Sequence, residues 1–168
     1  MKRMIISLSV AAIFALSCGT TSSTSTSSSY AFGVPGTLSS EFLSQYPDAT
    51  NVTWSDYSVS AAPVDWELLD WPRNLGGSLA RFDNNNERYF AWYDPSGNWI
   101  GSAYRINEAN RLPQGVHTLL TARYPGYSIE SSYKVFWKDK QAFELRLRNG
   151  AATTRVLTDA SGNVLKAK

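Results

Sequence analysis

Side chains that do covalent chemistry are scarce in this chain. Among 168 residues there is one cysteine, Cys18, and one histidine, His117. No Gly-x-Ser-x-Gly stretch occurs, so the strained nucleophile turn of a Ser–His–Asp hydrolase has no carrier. One histidine among scattered carboxylates does not make a zinc site. His117 flanks an apolar helical stripe and reads as a surface or boundary residue. A strong charge of one sign is also missing, with 16 basic residues against 14 acidic ones. The apolar run from Met4 to Leu16, broken only by serines, is too short for a comfortable membrane span.

That run has the form of a secretory signal. Lys2 and Arg3 supply its positive start, and small residues close it. Ala15-Leu16-Ser17-Cys18 resembles a lipobox, the cleavage site of bacterial lipoproteins, with Ala15 where leucine is usual. The expectation is a signal peptide over 1–17 and a lipid-bearing Cys18 as first mature residue. The Ser/Thr-rich stretch over 18–36 would be a tether, because it has almost nothing apolar to bury. Acylation removes the only thiol, which excludes disulfides, thiolate nucleophiles and cysteine metal sites. Loss of Lys2 and Arg3 takes the 16 basic residues to 14, equal to the 14 acidic ones. A neutral mature chain gives no reason to expect nucleic acid as a partner, and the membrane would be met through the lipid anchor alone. Gly19 does not resemble the aspartate retention signal that follows the lipidated cysteine in enteric bacteria, so an outer-membrane anchor facing the periplasm is expected.

The remaining stretch of about 135 residues suffices for one domain or two small halves sharing a core. It repeats itself. Phe42-Leu-Ser-Gln-Tyr46-Pro47 returns as Leu119-Leu-Thr-Ala-Arg-Tyr124-Pro125, and Asp94-Pro-Ser-Gly97-Asn98-Trp99-Ile100 as Asp159-Ala-Ser-Gly162-Asn163-Val164-Leu165. The unequal spacing implies an insertion within 63–77, so the units are 37–106 and 107–168. Leu38, Phe42, Leu43 and Tyr46 share one helical face, as do Leu112, Val116, Leu119, Leu120 and Tyr124. Thr37 and Asn110 are the candidate caps, and each helix must stop before Pro47 or Pro125. Strands follow. Phe143, Leu145 and Leu147 alternate with charged residues, and Asn149-Gly150 is a hairpin signal that would set Glu144 opposite Arg155. The expected class is α+β, with two tandem helix-plus-antiparallel-meander repeats. Together they would form one curved sheet with the helices on one face.

This pattern resembles the PepSY-like, beta-lactamase-inhibitor-like family of secreted bacterial proteins. The residues that carry it are Tyr46-Pro47, Val52-Thr53-Trp54 and Asp94 to Trp99 in the first copy. In the second they are Leu112-Pro113, Tyr124-Pro125 and Asp159 to Gly162. The resemblance implies a fold similar to beta-lactamase inhibitor protein, in which a curved sheet offers a binding face. It brings no catalytic residues and no cofactor, and inhibition of a beta-lactamase does not follow from it.

Two clusters invite chemistry and are read otherwise. Asp83-Asn84-Asn85-Asn86-Glu87 spaces oxygen ligands like a calcium loop but lacks the turn glycine and the distal bidentate glutamate, so a hairpin is expected. Asp65, Glu67 and Asp70 lie beside Trp66 and Trp71 in the insertion, yet so small a domain gives a glycosidase pair no deep cleft. The better lead is a face. Carrying the alternation into the first copy puts Phe82, Tyr89, Ala91 and Tyr93 under the helices, with Leu79, Arg81, Phe90, Trp92 and Trp99 on the other side. That set has the composition of an interaction hot spot. A one-residue register shift would put these aromatics in the core instead, and Trp66 and Trp71 could cover them. The function expected is a non-catalytic, periplasmic or envelope binding module without cofactor. It would bind a protein or peptide, or an enzyme in the manner of an inhibitor; the alternative is a carbohydrate-binding or structural envelope lipoprotein.

Overall fold

A computed structural model describes residues 36–57, with side chains from Ser40 onward, together with 62–71 and 76–168. Cys18, the signal and nearly all of the tether lie outside the described residues. The chain runs α1 (Gly36–Gln45), β1 (Thr50–Asp56), α2 (Trp66–Leu69), β2 (Ser78–Asn84), β3 (Glu87–Tyr93) and β4 (Trp99–Arg105). After a 3-10 turn at Ala109–Arg111 come α3 (Gln114–Arg123), β5 (Ser128–Trp137), β6 (Lys140–Asn149), β7 (Ala152–Thr158) and β8 (Val164–Ala167). The strands form one antiparallel sheet in the order β1-β2-β3-β4-β5-β6-β7-β8, each beside its chain neighbour.

Turn chemistry fixes this meander. Asn85 and Asn86 both take positive φ between the paired Asn84 and Glu87, the dihedrals of a type I′ hairpin. Asp83 of the calcium-like stretch bonds Asn51 and pairs with Arg88 at 2.6 Å. At Asp94 and Asp159 the same loop is built twice. Each aspartate Oδ1 accepts two backbone N–H groups, from Ser96 and Asn98 in one and from Ser161 and Asn163 in the other. Each Oδ2 accepts the asparagine amide, and Gly97 and Gly162 both sit at φ 87°. At Asp94 burial acts to raise the carboxyl, and the hydrogen bonds from Asn98, Ser96 and Gly97 outweigh it and hold it below its usual range. At Asp159 the Asn163 amide is the leading cause of the same downward shift.

Three local expectations shift. The β6–β7 hairpin turns on Gly150 and Ala151, pairing Asn149 with Ala152. Arg155 therefore faces Arg146, and Glu144 faces Leu157. Only Gly150 has positive φ in that turn, which suits glycine in the first central position. Pro113, not Asn110, occupies the N-cap position of α3, without a side-chain cap. Leu43 is exposed rather than part of the helical stripe, because Phe42 and Tyr46 take the buried face of α1.

Both longer helices cover one face of the sheet. Ala80, Ala91, Ser102 and Phe136 are aligned across β2–β5, and Lys134, Phe143 and Thr158 across β5–β7; opposed residues share a face. On this face Phe42 and Tyr46 pack with Phe82, Ala91 and Tyr93, while Val116 and Leu119 pack with Leu145, Leu147 and Val156. The Phe82 ring lies 4.9 Å from Phe42 and 4.7 Å from Tyr46, and Tyr93 Oη donates to Gln45 Oε1 at 3.3 Å. Burial pushes the Tyr93 hydroxyl far above its usual pKa, so it remains a donor. Phe82→Ala, which empties the centre of this cluster, is expected to cost about 3–5 kcal/mol, measured as the loss of unfolding free energy in denaturant.

Candidate binding face

The face away from α1 and α3 begins with an insertion that folds back. Asp65 caps the single turn of α2, its Oδ1 accepting from Glu67 N at 3.0 Å and Leu68 N at 3.4 Å. Asp70, in the left-handed conformation, ends the turn and returns Trp71 to the sheet. Trp66, Trp71 and Trp92 then meet as a triangle, with ring centroids 5.0, 5.6 and 5.2 Å apart. Such tilted and edge-on contacts contribute about 0.5–1.5 kcal/mol each beyond area burial. Gly101 makes room for them: a Cβ there would lie 2.2 Å from the Trp71 ring. A mid-strand glycine is the sequence signal for such a close approach.

The insertion is also anchored by charge. Asp65 N donates to Glu144 Oε2 at 2.8 Å, and Arg155 Nη1 donates to Glu144 Oε1 at 3.2 Å. Lys168 Nζ pairs with Asp65 at 2.8 Å and also with Glu67, while Lys166 pairs with Asp70. The three insertion carboxylates are thus engaged with lysines at the sheet edge. Burial raises the Glu144 carboxyl to about 7; the Asp65 N–H and Arg155 offset only part of that cost.

These contacts correct the sequence-derived site. Leu79 and Trp92 are 1% and 0% exposed, because the insertion's tryptophans close over them. Trp99 is on neither the covered nor the open part of this face. A bulge between Trp92 and Tyr93 pairs Trp99 with Tyr93, which turns it toward the helices. Arg81 and Phe90 remain on the outer face, half-buried and directly opposed. Phe90 stacks on Trp92 at 6.1 Å, and Arg81 Nη1 donates to Ser55 Oγ at 3.1 Å.

Beyond the insertion the same face is open, and its make-up changes. Arg105 is exposed beside the half-buried Tyr133, its partner on β5. Arg146 and Arg155 oppose each other on β6 and β7. Glu130 meets Arg146 at 2.5 Å and Arg148 at 2.6 Å, and the Arg148 bond chiefly lowers its carboxyl pKa. Alternation along β6 sets Arg146 and Arg148 on the outer side, but the half as a whole was not recognised in the sequence, because its residues come from four strands and no two adjacent positions announce it. On the helix face a concavity of about 480 Å³ is lined in part by Tyr46, Tyr89, Trp99, Ser102 and Phe136. Among the described residues no group of three or more His, Cys, Asp or Glu is placed to hold a metal.

No protein-family model matches the chain, and no curated protein sequence matches it either. Solved structures do. A BLIP-like protein from Bacteroides fragilis superposes with a TM-score of 0.65 at 16% identity, covering 82% of this chain and 86% of that one. The fold is BLIP-like. A DUF2874 family protein from Bacteroides uniformis gives 0.64 at 16% identity, covering 80% and 88% of the two chains. A protein from Bacteroides eggerthii described as periplasmic gives 0.63 at 14% identity, with 80% and 88% covered. At these identities the likeness extends to the fold alone.

Two outcomes follow from the covered half. Gly101→Ala should lower the melting temperature in the native sequence and do so much less in a Trp71→Ala background, as a double-mutant cycle by thermal unfolding would show. Glu144 holds a proton in the folded chain that the unfolded chain releases, since its pKa of about 7 exceeds the ordinary 4.5. Its contribution to stability is complete below about pH 4.5 and is lost as the pH rises through about 7. Relative to Glu144→Gln, the native chain should gain on the order of 3 kcal/mol on acidification across that window, read from denaturant unfolding at each pH.

Proposed function

We propose that this chain is a non-catalytic binding module of the bacterial cell envelope that presents the open half of its outer sheet face to a protein partner. The observation that carries the reading is the juxtaposition of Arg81 and Phe90 with Arg105 and Tyr133 on adjoining strands. Arginine and aromatic side chains on a rigid sheet are the usual composition of energetically dominant interface residues. A fold neighbour described as periplasmic, together with the lipobox-like Ala15-Leu16-Ser17-Cys18, supports an envelope location with Cys18 as the lipid anchor. The twice-built aspartate loop supports an origin by duplication, with 37–106 and 107–168 as the two copies. The engaged insertion carboxylates speak for binding rather than hydrolysis.

In the native envelope, crosslinked capture by the Arg81→Ala/Phe90→Ala double variant should lose the partners that the wild-type chain retains, with the melting curve kept within a few degrees. Identical partner sets would remove this face from consideration. Cys18→Ser should move the protein from the membrane fraction to the soluble periplasmic fraction; a membrane-bound variant would contradict the lipid anchor.

A second reading has its own observation. The cleft on the helix face places Tyr46, Tyr89, Trp99 and Phe136 around the Ser102 hydroxyl, a surface suited to stacking and hydrogen-bonding a sugar ring. Titration with glucose, galactose and N-acetylglucosamine should change tryptophan fluorescence in the wild type and not in Trp99→Phe. A flat response to all three counts against it.

A further inference from the structure

We infer that the open half of the outer face recognises an acidic segment of a partner protein, one bearing several Asp or Glu side chains along an extended strand or loop. The inference rests on the binding-face reading above and adds the chemistry of the partner.

Six arginines share this half-face: Arg81 on β2, Arg88 on β3, Arg105 on β4, Arg146 and Arg148 on β6, and Arg155 on β7. Three carboxylates besides Glu144 accompany them: Asp83 on Arg88, Glu130 between Arg146 and Arg148, and Asp65, 3.6 Å from Arg155. Glu144, the carboxylate beside Arg155, is buried and raised to about 7, so near neutral pH it returns only part of a negative charge. Arg81 and Arg105 have no carboxylate partner among the described residues. A chain whose mature charge balances overall therefore concentrates positive charge on one surface.

Arg146 lies directly across from Arg155, and the like charge that this pairing brings together is offset by Glu130 on the first and by Glu144 and Asp65 on the second. All six cations are arginine, whose planar fork offers two parallel N–H groups to a carboxylate and loses little water in doing so.

Spread also distinguishes the ligand. β2 to β7 span about 24 Å at the usual strand spacing. The guanidiniums are distributed along that length rather than converging on one point, which suits a row of separate carboxylates better than one phosphate. Phe90 and Tyr133 lie between them and offer apolar surface to the side chains or backbone of a peptide. Thr53, Ser131 and Thr153, paired with Arg81, Arg146 and Arg148, add hydroxyls to the same face.

The test uses the mature chain and four probes: a fluorescent peptide alternating Glu and Leu, its Gln counterpart, inorganic phosphate, and vesicles containing phosphatidylglycerol. The Glu peptide should bind, and its affinity should fall at least about tenfold between about 0.05 M and about 0.5 M salt. Arg105→Gln/Arg146→Gln, which removes charge without reversing it, should weaken binding by at least about tenfold. Phe90→Ala/Tyr133→Ala should weaken both salt conditions alike. Circular dichroism melting identifies any variant that fails to fold, and Arg105→Lys/Arg146→Lys then stands in for the Gln pair, keeping the charge and losing the fork. Equal binding of Glu and Gln peptides, or none of either, would overturn the acidic-segment proposal. So would phosphate or vesicles competing as well as the Glu peptide, which would mark a general anion surface. If the proposal fails while envelope capture still depends on Arg81 and Phe90, the binding face stands and its partner is not acidic.

Discussion

The closure of the insertion on the sheet organises everything on the outer face. A sheet with helices on one side leaves its other side to water, and β2–β4 bring Leu79 and Trp92 to that side. Trp66 and Trp71 close over them, and they fit because Gly101 has no side chain. Apolar burial of this kind has no direction of its own. Direction comes from Glu144, which accepts the backbone of Asp65, and from the lysines of the C-terminal edge. The result is a face divided in two: an aromatic half sealed by the chain itself, and an arginine half left to solvent.

That division explains which expectations could be read from residues alone. Period-two alternation placed Phe82 and Tyr93 beneath the helices and Leu79 and Trp92 on the far side, because burial on one face fixes register strongly. The antiparallel meander was legible for the same reason, helped by Asp94-Pro-Ser-Gly97-Asn98, a loop whose hydrogen bonds are wholly local, while its BLIP-like character was implied only by the family resemblance. Exposure was not legible. Whether Trp92 meets solvent depends on residues more than twenty positions away in an insertion with no periodic pattern. Trp99 was misplaced because a bulge adds one residue and exchanges faces, and bulges leave little trace in composition. The hairpin at Asn149-Gly150 was recognised as a turn but set two residues out of register, since Asn-Gly fits the central pair of one turn type and Gly alone opens another.

The arginine half is the least legible part and the one that bears on partners. Net charge averages over the surface, so a balanced sequence gave no hint that one face is cationic. Only the strand order brings Arg81, Arg105, Arg146 and Arg155, spread over more than seventy positions, onto neighbouring rungs. The sheet acts as a ruler for charge: each strand crossing sets a spacing of about 4.8 Å, and the pleat decides which side receives the side chain.

The unbroken β1-to-β8 order also has a kinetic consequence. Every ladder joins strands adjacent in the chain, so the sheet can assemble pair by pair, with short turns everywhere except at the insertion between β1 and β2 and at α3 between β4 and β5. The insertion cannot complete its contacts early. Its partner Glu144 lies 79 residues beyond Asp65, and Lys168 lies 101 residues beyond Glu67. The indole contacts with Trp92 can form once β3 and β4 are in place, whereas the charged anchoring of the insertion must wait for β6 and β8.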